Sequence, residues 1–83
     1  MQAASENGEV MPVDWSQNVY SSNVSAVEYD REAKEMFVTF LKGGARYVYR
    51  GVPEELAQQL ANAPSVGSML RNEVAPYYSY SRV

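Results

Sequence analysis

No residue in this chain of 83 is a histidine or a cysteine, so the most frequent general base, the thiolate nucleophile, disulfides and zinc–thiolate sites are all absent. The chemistry left is carried by tyrosine, arginine and carboxylates. Its densest expression is Arg46-Tyr47-Val48-Tyr49-Arg50, followed by Gly51-Val52-Pro53. On a strand, side chains two apart share a face, so the two tyrosines point one way and the two arginines the other. The acidic residues do not compensate. Glu54 and Glu55 are adjacent and diverge around a helix, while Asp30, Glu32 and Glu35 crowd a turn. Neither set gives the facing carboxylates of acid–base catalysis, and no enzyme is expected.

A second set of residues could hold an anion. Ser65-Val66-Gly67-Ser68 opens a helix, where free N–H groups and a glycine can admit a phosphate or carboxylate, and Arg71 follows about one turn later. Capping by Ser65 and close packing at Gly67 explain the same residues without a ligand. No cofactor or metal is expected.

The elements that must position these groups are short. Asn23–Tyr29 reads as a strand, with Val27 and Tyr29 on one face and Val24 and Ala26 on the other. Asp30–Lys34 is a charged turn, and Glu35–Leu41 alternates Met36, Val38 and Phe40 against Phe37, Thr39 and Leu41. Gly43-Gly44 suits a two-residue hairpin turn. That turn would oppose Phe40 to Tyr47, Val38 to Tyr49 and Phe37 to Arg50. Pro53 and the following glutamates open a helix that carries Leu56 and Leu60 and ends at Pro64. Ser65 caps a second helix carrying Val66, Met69, Leu70 and Val74, and Pro76 stops it. Tyr78-Ser79-Tyr80 resumes an extended pattern. The expected fold is α+β: a three-stranded antiparallel meander with two short helices packed on one face and a short C-terminal extended segment.

Charge and composition set the organisation. The net charge is −3. Residues 1–20 hold Glu6, Glu9 and Asp14 with no lysine or arginine, which leaves the remainder formally neutral. Residues 1–18 read as a flexible acidic leader, relieved only by Met11, Val13 and Trp15, and residues 19–83 as one small domain. A neutral domain with an acidic leader is poorly suited to phosphate-backbone binding. No apolar run approaches a membrane span, and a cytoplasmic protein is expected.

The register divides the possible surfaces. Tyr47 and Tyr49 face the helices and belong to the core. Phe37, Leu41, Arg46, Val48 and Arg50 fall on the outer face, where Arg50 would lie over Phe37. Three apolar side chains there exceed what a wet face requires, so a protein partner or self-association is expected at that surface.

The order of these pieces resembles the KTSC domain, a short module at the C-terminus of some lysyl-tRNA synthetases and a stand-alone protein in bacteria and phages. The resemblance runs through Ser21-Ser22, Tyr29-Asp30, Phe40, Tyr47-x-Tyr49, Gly51-Val52-Pro53, Ala63-Pro64-Ser65-x-Gly67, Tyr78-x-Tyr80 and Arg82. Met69-Leu70-Arg71 replaces the family's usual phenylalanines and asparagine, and Ala75 and Tyr77 stand where basic residues are common. The synthetase context implies RNA binding, here through Arg46, Arg50, Arg71 and Arg82 with the tyrosines. The residues themselves favour a non-catalytic, oligomeric binding module that contacts a protein or captures a small anionic ligand. A phage member would act in the host cytoplasm, and a sponge for a nucleotide-derived signal is a third reading.

Overall fold

The computed structural model describes residues 13–83. Five antiparallel strands form one sheet in sequence order: β1 (Trp15–Asn18), β2 (Val24–Asp30), β3 (Glu35–Phe40), β4 (Arg46–Arg50) and β5 (Tyr80–Arg82). Between β4 and β5 lie α1 (Glu54–Ala61) and α2 (Val66–Met69), the latter running on into a π-helical stretch, Leu70–Val74. The α+β class and the two short helices are as expected, but the sheet has five strands rather than three. β5 pairs Tyr80, Ser81 and Arg82 with Tyr49, Val48 and Tyr47. β1 occupies Trp15–Asn18, within the segment expected to be a leader, and pairs Trp15 with Tyr29 and Gln17 with Val27. Its four residues include a single apolar side chain, so no alternation announced it. The expected leader's residues 1–12 lie outside the described ones.

β1 is fastened by side chains more than by apolar burial. The Trp15 ring stacks on Tyr29 with centroids 5.9 Å apart, and its indole N–H donates to Glu54 Oε2 at 3.0 Å. Arg31 Nε donates to both oxygens of Glu54, and the Arg31 backbone N–H donates to Asp14. Gln17 Nε2 donates to the Ala61 carbonyl at 3.1 Å. These bonds join the sheet's first edge to both ends of α1.

The core lies between the sheet and the helices. Val27, Tyr29, Met36 and Val38 meet Val52, Ala57, Leu60, Val66, Leu70 and Val74. The Tyr29 hydroxyl donates to the Val52 carbonyl at 2.5 Å, which satisfies two buried polar groups together. Val24 also belongs to this core, although strict alternation from Val27 would turn it outward. A register shift between Val24 and Ala26 reverses its side, so that Val24 pairs with Phe40 and Val27 with Val38.

The hairpin differs from the expected two-residue turn. Leu41 adopts helical backbone angles, Lys42–Gly44 forms a 3-10 turn, and the Phe40 N–H donates to the Ala45 carbonyl at 2.8 Å. Gly43 and Gly44 hold φ of 70° and 64°, with nothing within 4 Å of a Cβ at either. Glycine is required there by the backbone, not by packing. Because the connection is longer, the ladder slips by two residues: Phe37 opposes Val48, Val38 opposes Tyr47 and Met36 opposes Tyr49. An even slip preserves faces, so the tyrosines and Arg46/Arg50 remain on opposite sides.

Candidate functional site

The outer face is not the apolar patch the sequence suggested. Phe37 is 2% exposed and Val48 3%, although neither belongs to the main core. Arg46, not Arg50, covers the Phe37 ring, with its guanidinium carbon 4.2 Å from the centroid. The two-residue slip puts Val48 opposite Phe37 with Arg46 and Arg50 on its diagonals, and Glu28, opposite Phe37 on β2, draws Arg46 across the ring. Arg46 is held there by Glu28 Oε1, to which Nη2 and Nε donate at 2.8 and 3.1 Å. Arg50 is exposed, with Nη2 donating to Ser81 Oγ at 2.7 Å. Leu41 alone of the three apolar residues is open, at 53%, and it sits in the hairpin connection. The expected contact surface of Phe37, Leu41, Arg46, Val48 and Arg50 therefore presents guanidinium and carboxylate, with Phe37 and Val48 covered and Leu41 as its one open apolar side chain.

The residues expected to hold an anion do not converge either. Ser65 and Ser68 line a groove with Leu56, Met69 and Glu73, whose carboxylate opposes an anion. Gly67 faces the other way, against the sheet: a Cβ there would lie 2.8 Å from Asn23 Nδ2. Arg71 is exposed and lines neither that groove nor the Asn23 side. Close packing accounts for Gly67.

A different site is assembled at the hairpin end of the sheet, on the helix side. The helical layer stops at Val74 and leaves this corner uncovered. Phe40 from β3, Tyr47 and Tyr49 from β4 and Tyr80 from β5 line a groove of about 410 Å³, within the range of small-ligand sites. Asn23, Lys42, Ala45 and Ala75 complete its wall. Phe40 and Tyr47 meet edge to face at 5.6 Å, Tyr47 and Tyr80 lie 6.3 Å apart at a steep angle, and Tyr49 and Tyr80 lie 5.1 Å apart. Tyr80 is half exposed, whereas Tyr49 is buried. Burial pushes the Tyr49 hydroxyl up to about 12, with Tyr80 and Tyr47 adding to the effect, so it remains a neutral hydrogen-bonding group near neutrality.

Four of the residues behind the resemblance meet at this groove. Phe40, Tyr47, Tyr49 and Tyr80 line it. Ser21 Oγ donates to Asn23 Oδ1 at 3.0 Å and accepts the Val24 N–H, which holds Asn23 in the wall against Gly67. The tyrosines of β4 are thus core on one flank and groove on the other. Lys42 and Asn23 were not singled out from the sequence. The visible signal was Pro76, which ends the helix before it can cover the hairpin.

The four arginines expected to bind RNA are dispersed. Arg46 and Arg50 occupy the outer face, Arg71 the helix surface, and Arg82 the tyrosine side, opposite Tyr47. Glu54 is fully engaged: the Arg31 hydrogen bond, with the Trp15 N–H as a second donor, holds its carboxyl below the usual value. Among the described residues, no group of three or more acidic side chains could hold a metal ion, and no helix is long and apolar enough to cross a membrane.

Comparison with known proteins bears on the family and the fold. No curated protein matches the sequence. A crystal structure of a KTSC domain protein from Yersinia pestis superposes with a TM-score of 0.75 at 26% identity, covering 83% of this chain and 96% of that one. The family model of the KTSC domain matches residues 20–78, which include β2 to α2 and all of the groove except Tyr80. The chain therefore belongs to the KTSC domain family.

Proposed function

We propose that this chain is a non-catalytic binding module that holds a small, flat ligand in the groove of Phe40, Tyr47, Tyr49 and Tyr80. The observation that carries this reading is the meeting of four aromatic rings from three strands in a groove at the hairpin end of the sheet. Rings so placed give a planar ligand both edge and face contacts. A binding rather than catalytic role is supported by the side chains at hand. The chain has no histidine or cysteine, Glu28 and Glu54 are committed to arginines, and Asp30 accepts the N–H groups of its own turn. The Yersinia chain, matched over 96% of its length, supports a small bacterial module for this reading.

Titration with small aromatic probes, followed by protein NMR, tests the reading. Shifts should concentrate at Phe40, Lys42, Tyr47, Tyr49 and Tyr80, and Tyr47→Ala or Tyr80→Ala should remove them. Shifts confined to other surfaces would discard the groove.

Self-association is a second reading, favoured by Leu41 and Val83, which are 53% and 60% exposed at the same end of the sheet. The Val83 N–H donates to the Arg46 carbonyl beside the hairpin connection. A mass above the monomer in solution, reduced by Leu41→Glu, would support it; a monomer at millimolar concentration would not.

A further inference from the structure

The groove has charge at one end only. Lys42 is the single charged residue in its wall, although the chain as a whole carries −3. Arg82 pairs with Tyr47 and so leaves β5 on the same face, near that end. Among the described residues neither Lys42 nor Arg82 enters an ion pair, whereas Arg31 and Arg46 do. Two cations without carboxylate partners among the described residues thus stand beside the rings. The order along the sheet is also defined: Lys42 lies in the connection, Tyr47 and Arg82 share the next level, and Tyr49 and Tyr80 lie two residues further. Two residues of strand span about 7 Å, comparable with the reach of a ribose between a base and its phosphate.

The geometry points to a nucleoside phosphate as the ligand, its base against the Tyr80 ring, its ribose along Tyr47 and its phosphate toward Lys42 and Arg82. This rests on the groove being the binding site, as proposed above. A neutral aromatic compound would use the rings and leave both cations idle. A bare anion would use the cations and leave the rings idle. Only a ligand with both parts uses the whole groove.

Calorimetry of the full chain with each of the four ribonucleoside 5′-monophosphates, its nucleoside, and inorganic phosphate tests this. The best monophosphate should bind about tenfold or more tighter than its nucleoside, and inorganic phosphate more weakly than either. Lys42→Ala should weaken the monophosphate more than the nucleoside and bring their ratio to within about twofold, because the exposed Lys42 is the charged residue in the groove wall. Tyr80→Ala should weaken nucleoside and monophosphate alike. A 5′-phosphorylated tetranucleotide that binds tighter than the monophosphate assigns the ligand to RNA ends, and one that binds more weakly assigns it to free nucleotide; either agrees with the proposal. Equal affinity for nucleoside and monophosphate overturns the phosphate assignment while the aromatic groove stands. Binding of inorganic phosphate as tight as that of the monophosphate overturns the role of the rings. If no nucleoside or monophosphate binds while aromatic probes still shift the groove, the proposal alone fails; if both are silent, the binding groove fails with it.

Discussion

The side chain of Asn23 fills the space that a Cβ at position 67 would need. Asn23 is in turn held by the Ser21 hydroxyl at 3.0 Å, so a glycine on the second helix and a serine before β2 are linked through one amide. Alanine normally stabilises a helix over glycine by about 1 kcal/mol, but here overpacking of about 1–3 kcal/mol opposes it. Gly67→Ala should therefore destabilise by about 1 kcal/mol in urea unfolding. In an Asn23→Ala background the same change should stabilise, and an unchanged sign there would refute the contact.

Tyr29→Phe tests the buried bond between β2 and the segment before α1. Loss of the hydroxyl leaves the Val52 carbonyl without its donor, at a cost of about 1–2 kcal/mol. A two-state denaturation curve with an unchanged midpoint would show that water replaces the bond.

Phe37 and Leu41 were both expected to form a contact surface, and they should now behave differently. Phe37→Ala removes a ring buried beneath Arg46 and should cost about 3 kcal/mol. Leu41→Ala changes an exposed connection and should stay within about 0.5 kcal/mol. Comparable losses at the two positions would contradict the burial described.

The Glu54 clamp predicts a defined pH dependence. Its carboxyl is held below the ordinary value of 4.5, chiefly by the Arg31 hydrogen bond. The unfolded chain therefore binds the proton more readily than the folded one. The clamp's stabilisation is full above about pH 4.5 and is lost as pH falls through the lower folded-state value. The difference in melting temperature between wild type and Glu54→Gln should narrow across that window. Emission from Trp15, the single tryptophan, should change over the same range as its indole N–H loses a charged acceptor. A gap that is constant from pH 7 to pH 3 would remove Glu54 as the titrating group.

Face assignment was legible in the sequence because it depends only on parity. The ladder between β3 and β4 slipped by two residues from the expected register, yet Val38, Phe40, Tyr47 and Tyr49 kept their common side. Partner identity depends on register itself, so the cation over Phe37 proved to be Arg46 rather than Arg50. The bulge near Ser25 had no glycine or proline to mark it, and it moved Val24 from the outer face into the core. β1 carries its information in Trp15, Gln17 and Asp14, whose partners on α1 and in the β2–β3 turn are remote in sequence. The groove was half legible: its rings were recognised, but Lys42 and Asn23 enter it only through the hairpin connection and the Gly67 contact.

The early end of the helical layer divides the labour of one sheet face. Residues under the helices fix whether the chain folds, while Lys42, Ala45 and Ala75 border the groove without belonging to the central core. If the groove binds as proposed, substitutions at these rim positions would alter which ligand fits while leaving the fold intact, and selectivity would diverge between relatives whose backbones remain superposable.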